Sequence, residues 1–83
     1  MKIDVRYFAS LREQLGASEL FELAEGATVG QLRDVLIARS GLHAAALSRS
    51  RTVRCAVNKV LSREDAPLTD GAEVAFFPPV TGG

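Results

Sequence analysis

Tryptophan is absent from this 83-residue chain, and cysteine and histidine occur once each. A single cysteine, Cys55, cannot close an internal disulfide, which fits a chain of the reducing cytoplasm. One cysteine and one histidine are too few for a protein-built zinc site, so no metal is expected. Neither sign of charge is in excess, because ten basic residues balance ten acidic ones. No basic run forms, and nucleic acid therefore has no electrostatic footprint to bind. No apolar stretch approaches the roughly 20 residues that span a bilayer, and no signal-peptide pattern opens the chain, so no membrane partner is expected. No glycine-rich loop follows a strand to hold phosphate. The acidic residues show no tight pairing suited to acid–base work and read as mostly solvated charges. His43 has no serine–acid constellation suggested nearby and reads as a surface or helix-flanking residue. The chain is long enough for one domain with a modest core, and it contains no self-sufficient active site.

Alternation marks the strands. In Lys2 to Phe8, Ile3, Val5 and Tyr7 point one way, and Lys2, Asp4, Arg6 and Phe8 the other. Ser10 and Glu13 have capping-box spacing for a short helix, with Ser10 as N-cap and Gly16 placed to end it. Glu19 to Leu23 alternates as a second strand, Phe21 and Leu23 against Leu20 and Glu22. Thr28 and Gln31 form a second capping-box pattern, at the start of the main helix. There Val29, Leu32, Val35 and Leu36 recur at helical spacing, while Arg33, Asp34 and Arg39 fall toward the polar side. Gly41 is a plausible residue just past its end, and Leu42 to Ser50 has room for a turn of helix. Thr52 to Asn58 alternates again and sets Cys55 with Val53 and Val57 on the apolar face, where a thiol is a core residue rather than a reagent. Val60 and Leu61 add a short extended piece. A polar connection carrying Pro67 follows, Asp70-Gly71 signals a turn, and Glu73 to Phe77 is the last strand. One amphipathic helix over a small sheet is a two-layer α+β domain. With a single main helix available, the far face of the sheet is wet or docked on a partner.

The residues after the last strand carry the functional reading. Pro78 and Pro79 lack an N–H and cannot continue a central strand. Gly82 and Gly83 carry no side chain, so the segment can thread a channel too narrow for one. At about 3.4 Å per extended residue, Pro79 to Gly83 can reach roughly 17 Å from the body. An unhindered terminal carboxylate is then a chemical handle for another protein's active site. Phe77 shares its side of the strand with Glu73 and Ala75, and Phe8 lies on the Lys2/Asp4/Arg6 side, so both read as candidates for a docking patch beside that tail.

With these residues in view, the chain resembles the small, sulfur-carrying subunits of molybdopterin synthase, which are β-grasp (ubiquitin-like) proteins. The segment from Pro67-Leu68-Thr69-Asp70-Gly71 through Phe76-Phe77-Pro78-Pro79-Val80-Thr81-Gly82-Gly83 carries the strongest likeness. Cys55-Ala56-Val57-Asn58 is similar to the family's preceding strand, and Val5 to Glu13 to its opening strand and helix. The likeness is weakest from Leu42 to Arg51. It implies a β-grasp domain over residues 1–78 and an extended tail over 79–83. It also implies that a ubiquitin-activating-like enzyme spends ATP to adenylate Gly83, and that sulfur from a sulfurtransferase displaces AMP to leave a thiocarboxylate. Thr81, Gly82 and Gly83 would then enter the large synthase subunit and give sulfur to cyclic pyranopterin monophosphate, two donations building a dithiolene. By the same likeness Phe8, Arg12, Leu61 and Phe77 map to the face that meets the large subunit. The chain itself is expected to bind no cofactor and to turn nothing over alone. A ubiquitin-like modifier joined to lysines, a sulfur carrier for thiamine thiazole synthesis, and a binding module with an idle tail stand as alternatives.

Overall fold

A computed structural model describes residues 1–79. Strict alternation in β1 (Lys2–Tyr7) buries Ile3, Val5 and Tyr7 completely and leaves Lys2 and Arg6 in water. β1 pairs antiparallel with β2 (Ser18–Glu22) and parallel with β5 (Glu73–Phe77). β5 also pairs antiparallel with β3 (Arg54–Val57), which carries the short edge strand β4 (Val60–Ser62). The order β2-β1-β5-β3-β4 sets the first and last strands side by side at the centre of a mixed sheet, and with the helices on one face this is a β-grasp fold. β5 is flanked on both sides and ends at Phe77, where Pro78 removes the next ladder donor.

The main helix, α2 (Val29–Arg39), starts as its capping box requires: Thr28 Oγ1 accepts from the Gln31 N–H, and Gln31 Oε1 accepts from the Thr28 N–H. Val29, Leu32 and Leu36 are fully buried against the sheet with Val5, Tyr7, Val74 and Phe76. Val35, which the spacing sets with them, is instead exposed. The expected polar connection before β5 contributes Leu68 to the core and a Thr28–Pro67 bridge to the start of α2.

Several local expectations are corrected. Ser10 does not cap α1 (Ser10–Leu15); Ala9 holds the N-cap position at φ 54°, no side chain caps the helix, and Ser10 lies inside its first turn. The chain turns from strand to helix over two residues, Phe8 and Ala9, and the turn at Ala9 starts the helix one residue earlier than the capping-box spacing predicts. Gly16 does end α1, at φ 91°. Gly41 does not end α2. It opens a third helix, α3 (Gly41–Leu47), whose N-cap Ser40 is also the C-cap of α2. Sequence pattern alone gave this stretch a single turn of helix, because its apolar content is one short run; the helix is seven residues long. Ala46 and Leu47 enter the core, so α3 shares with α1 and α2 the covering that one helix was expected to supply. β3 is shorter than Thr52 to Asn58, since Asn58 has positive φ and belongs to the turn into β4.

Arg33 is the largest departure. It is 3% exposed, on the buried side of α2 rather than the polar side. Its guanidinium donates to the carbonyls of Leu47 (2.8 Å), Ser48 (2.8 Å) and Arg51 (3.1 Å) and to Glu64 Oε2 (2.7 Å). A planar fork with five donors satisfies four acceptors at once, which an apolar side chain could not do. Arg49 closes the outside of the cluster on Asp34, Glu64 and the Gly30 carbonyl. Glu64 is thus no free surface charge. Burial alone would raise its pKa, but hydrogen bonds from Arg49 and Arg33 outweigh that and hold it below the ordinary glutamate value.

Candidate functional site

All three helices pack on the face that carries Ile3, Val5, Tyr7, Val74 and Phe76. Strand register collects the alternate residues on the opposite face. Arg6 faces Ala75, Ala56 faces both Ala75 and Leu61, and Arg54 faces Phe77. Phe8 extends the β1–β5 ladder by one step through its N–H to the Phe76 carbonyl, 3.1 Å. The result is a hollow of about 860 Å³ with an apolar floor of Ala56, Ala75, Phe8 and Phe77 and a charged margin of Arg6, Lys59 and Glu73. Pro78 and Pro79 form part of its wall, so the chain leaves β5 along the edge of this hollow.

Of the residues implicated in partner binding, Phe8 and Phe77 both line the hollow. Phe8 is 45% exposed and Phe77 half-buried, and an aromatic left in water beside small alanines offers apolar area to a partner. Leu61, 61% exposed, stands opposite Ala56 on the same face and continues the apolar strip to the β4 edge. Arg12 is exposed on α1 and is not among the residues lining the hollow. Thr81, Gly82 and Gly83 lie outside the described residues. Lys59 is a margin residue that sequence reading passed over. Its only signal there was the polar pair Asn58-Lys59 between two apolar runs.

Cys55 is 4% exposed and donates its thiol to the Ser62 carbonyl at 3.3 Å. Burial pushes its pKa up, which disfavours the thiolate that sulfur chemistry needs. Among the described residues no group of His, Cys, Asp and Glu is placed to hold a metal ion. No helix among them is long and apolar enough to cross a membrane.

His43 corrects another expectation, for its ring does lie between a serine and an acid. Nδ1 is 2.7 Å from Ser40 Oγ, and Nε2 is 2.8 Å from Glu19 Oε2, which also accepts from the Tyr7 hydroxyl at 2.8 Å. Arg39 reaches the other Glu19 oxygen at 3.4 Å and lies over the Phe21 ring. Burial would raise the Glu19 pKa, yet the hydrogen bonds from His43 and Tyr7 bring it below the ordinary value. Ser40 Oγ also accepts the His43 N–H as the cap of α3, which gives the serine a structural task at the start of that helix. The cluster ties α3 and the end of α2 to β2, and its work is structural.

The mixed five-stranded sheet, the covering helices on one face and the apolar strip on the other define a ubiquitin-like domain. The chain belongs to the ThiS family, whose sequence model matches residues 5–83. It is 47% identical over 81 residues to the molybdopterin synthase sulfur carrier subunit of Escherichia coli, covering 98% of this chain and 99% of that one. Among solved structures it resembles a chain of the complex of subunits 1 and 2 of molybdopterin-converting factor from Helicobacter pylori, with TM-score 0.68, 26% identity and full coverage of both chains. It also resembles small archaeal modifier protein 1 of Haloferax volcanii, with TM-score 0.76 and 26% identity over 95% of this chain and 98% of that one.

Proposed function

We propose that this chain is the sulfur-carrying small subunit of a molybdopterin synthase and that its working group is the carboxylate of Gly83. The observation that carries the reading is the 47% identity over nearly the whole length to a sulfur carrier subunit of that synthase. The apolar face beside Pro78 and Pro79 supports it, since a subunit docked there meets the chain where it runs on toward Gly83.

The chemistry needs an activated acyl group, because a carboxylate is a poor electrophile. An adenylating enzyme lets a Gly83 oxygen attack the α-phosphorus of ATP and releases pyrophosphate. The outer sulfur of a sulfurtransferase persulfide attacks the acyl carbon and AMP departs, leaving an acyl disulfide that a reducing thiol cleaves to the thiocarboxylate. The thiocarboxylate then acts as a sulfur nucleophile toward cyclic pyranopterin monophosphate within the large subunit, displacing an oxygen leaving group to form a thioester. Water cleaves the acyl–sulfur bond, which leaves the sulfur on the pterin and restores the Gly83 carboxylate. Holding it at one fixed reach supplies a high effective concentration. Glycine at position 83 leaves the carbonyl open to each attack. This chain binds no cofactor in the cycle, and ATP belongs to its activating partner.

The test is adenylate formation and gain of sulfur, followed by intact mass, for chains that lack Gly83 or carry one residue beyond it. Both variants are expected to stay folded by circular dichroism and to accept no sulfur. Moving the carboxylate by one residue shifts it by about 3.5 Å, well outside attack distance. Normal sulfur transfer by the extended chain would overturn the proposal. Conjugates on lysine side chains in place of an oxygen-to-sulfur mass change would favour a modifier, the reading that the resemblance to small archaeal modifier protein 1 keeps in view.

A further inference from the structure

Among the described residues, three that are not glycine adopt positive φ: Ala9 at 54°, Asn58 at 49° and Lys59 at 68°. Ala9 and Lys59 both line the hollow, and Asn58 directly precedes Lys59. Backbone held in such sparsely populated conformations tends to gather where a surface is put to use. The Asn58-Lys59 pair joins β3 to β4 as a two-residue hairpin turn, flanked by the Val57–Val60 pair. Turns with two positive φ values favour asparagine followed by glycine, because glycine has no Cβ to crowd the backbone. Asn58 suits its position and is pinned to β5. Its N–H donates to the Glu73 carbonyl at 2.8 Å, and its Oδ1 accepts the Glu73 N–H at 3.0 Å.

Lys59 has no such structural return. It is exposed, adds nothing to the core, and joins no ion pair among the described residues. The other cation on the margin, Arg6, is already matched by Asp4 at 3.0 Å and Glu73 at 3.5 Å. A lysine therefore occupies the position where glycine would be least strained, and among the described residues its ammonium is the unmatched charge at the edge of an apolar floor. We infer that Lys59 is a specificity-determining contact whose ammonium meets a carboxylate on the large subunit, at the polar rim around the Phe8–Phe77 centre. This rests on the reading of that face as the docking surface. An apolar centre ringed by charge suits the division of labour in protein interfaces, where the centre gives affinity and the rim steers and selects.

Binding of the purified chain to the purified large subunit tests this for Lys59→Gly, Lys59→Gln, Lys59→Glu and Phe77→Ala, each with its melting temperature. Lys59→Gly is expected to melt about 2–4 °C higher, as relief of a strained φ would give. It should nonetheless bind about three- to tenfold more weakly, with the loss mostly in association rate. Lys59→Gln should bind as weakly as the glycine variant, Lys59→Glu more weakly still, and all three deficits should shrink as salt rises. Wild-type binding by all Lys59 variants alongside weakened Phe77→Ala would overturn the role of Lys59 and leave the docking face intact. Wild-type binding by Phe77→Ala as well would overturn the docking face itself. A lower melting temperature for Lys59→Gly would remove the strain on which the inference stands.

Discussion

Replacing Arg33 with methionine keeps a long side chain in the core and deletes every donor. Four acceptors lose their partner: the Leu47, Ser48 and Arg51 carbonyls and Glu64 Oε2. The Leu47 carbonyl follows a fully buried side chain, so its lost hydrogen bond should cost about 1–2 kcal/mol. Ser48 and Arg51 lie nearer to water, and each should cost only about 0.5 kcal/mol once solvent replaces the guanidinium. Glu64 keeps Arg49, so the lost pair there should be worth about 1 kcal/mol. The total, about 3–4 kcal/mol, falls where removal of one partner from a buried ion pair usually falls. In a domain of this size it should lower the melting temperature by roughly 12–30 °C at about 4–8 °C per kcal/mol. Thermal and urea unfolding by circular dichroism measure it. Arg33→Lys should recover less than half, because a single ammonium cannot reach acceptors spread around a planar fork. A loss below about 1 kcal/mol for Arg33→Met would refute the idea that this side chain holds the 47–51 segment onto α2.

Phe77→Ala should weaken docking to the large subunit by about thirtyfold, near 2 kcal/mol, while melting changes little. A large melting loss with unchanged affinity would make Phe77 a core residue. Cys55→Ala should cost about 1 kcal/mol of stability and leave sulfur acceptance intact, which mass spectrometry of the loaded chain reads directly. Glu19 and Glu64 both titrate below the ordinary value near 4.5 in the folded protein, so the stability they contribute is present above that pH and drains away as pH falls through the folded values. Melting temperature should therefore drop as pH is lowered from about 5, and Glu19→Gln should flatten that slope. An unchanged slope would show that the His43–Glu19–Tyr7 cluster adds nothing to acid stability.

Much of this architecture can be read from residue order, because short-range physics decides it. The Ile3, Val5, Tyr7 alternation, the Thr28–Gln31 capping box and the Asp70-Gly71 turn each depend on neighbours within a few residues, and each stands as expected. Alternation also assigned Phe8 and Phe77 to the face away from the helices, since a period of two leaves no other choice once Tyr7 and Phe76 are buried. The identity of the β-grasp family was legible for a different reason: its closing residues are specific enough to mark it. Tertiary structure alone decided the rest. Arg33 has a polar residue's sequence signature, and only the arrival of three carbonyls from the 47–51 segment and a carboxylate from beyond β4 makes its burial tolerable. His43 met Glu19, 24 positions away in the chain, because the tertiary fold brings the start of α3 within hydrogen-bond reach of β2. Leu61 joined the apolar strip through its register with Ala56, and Lys59 reached the hollow through a hairpin whose backbone favours glycine. Local pattern specifies which residues form elements, whereas the placement of a charge among distant partners depends on how those elements pack. That dependence is why the sheet could be foreseen and its polar clusters could not.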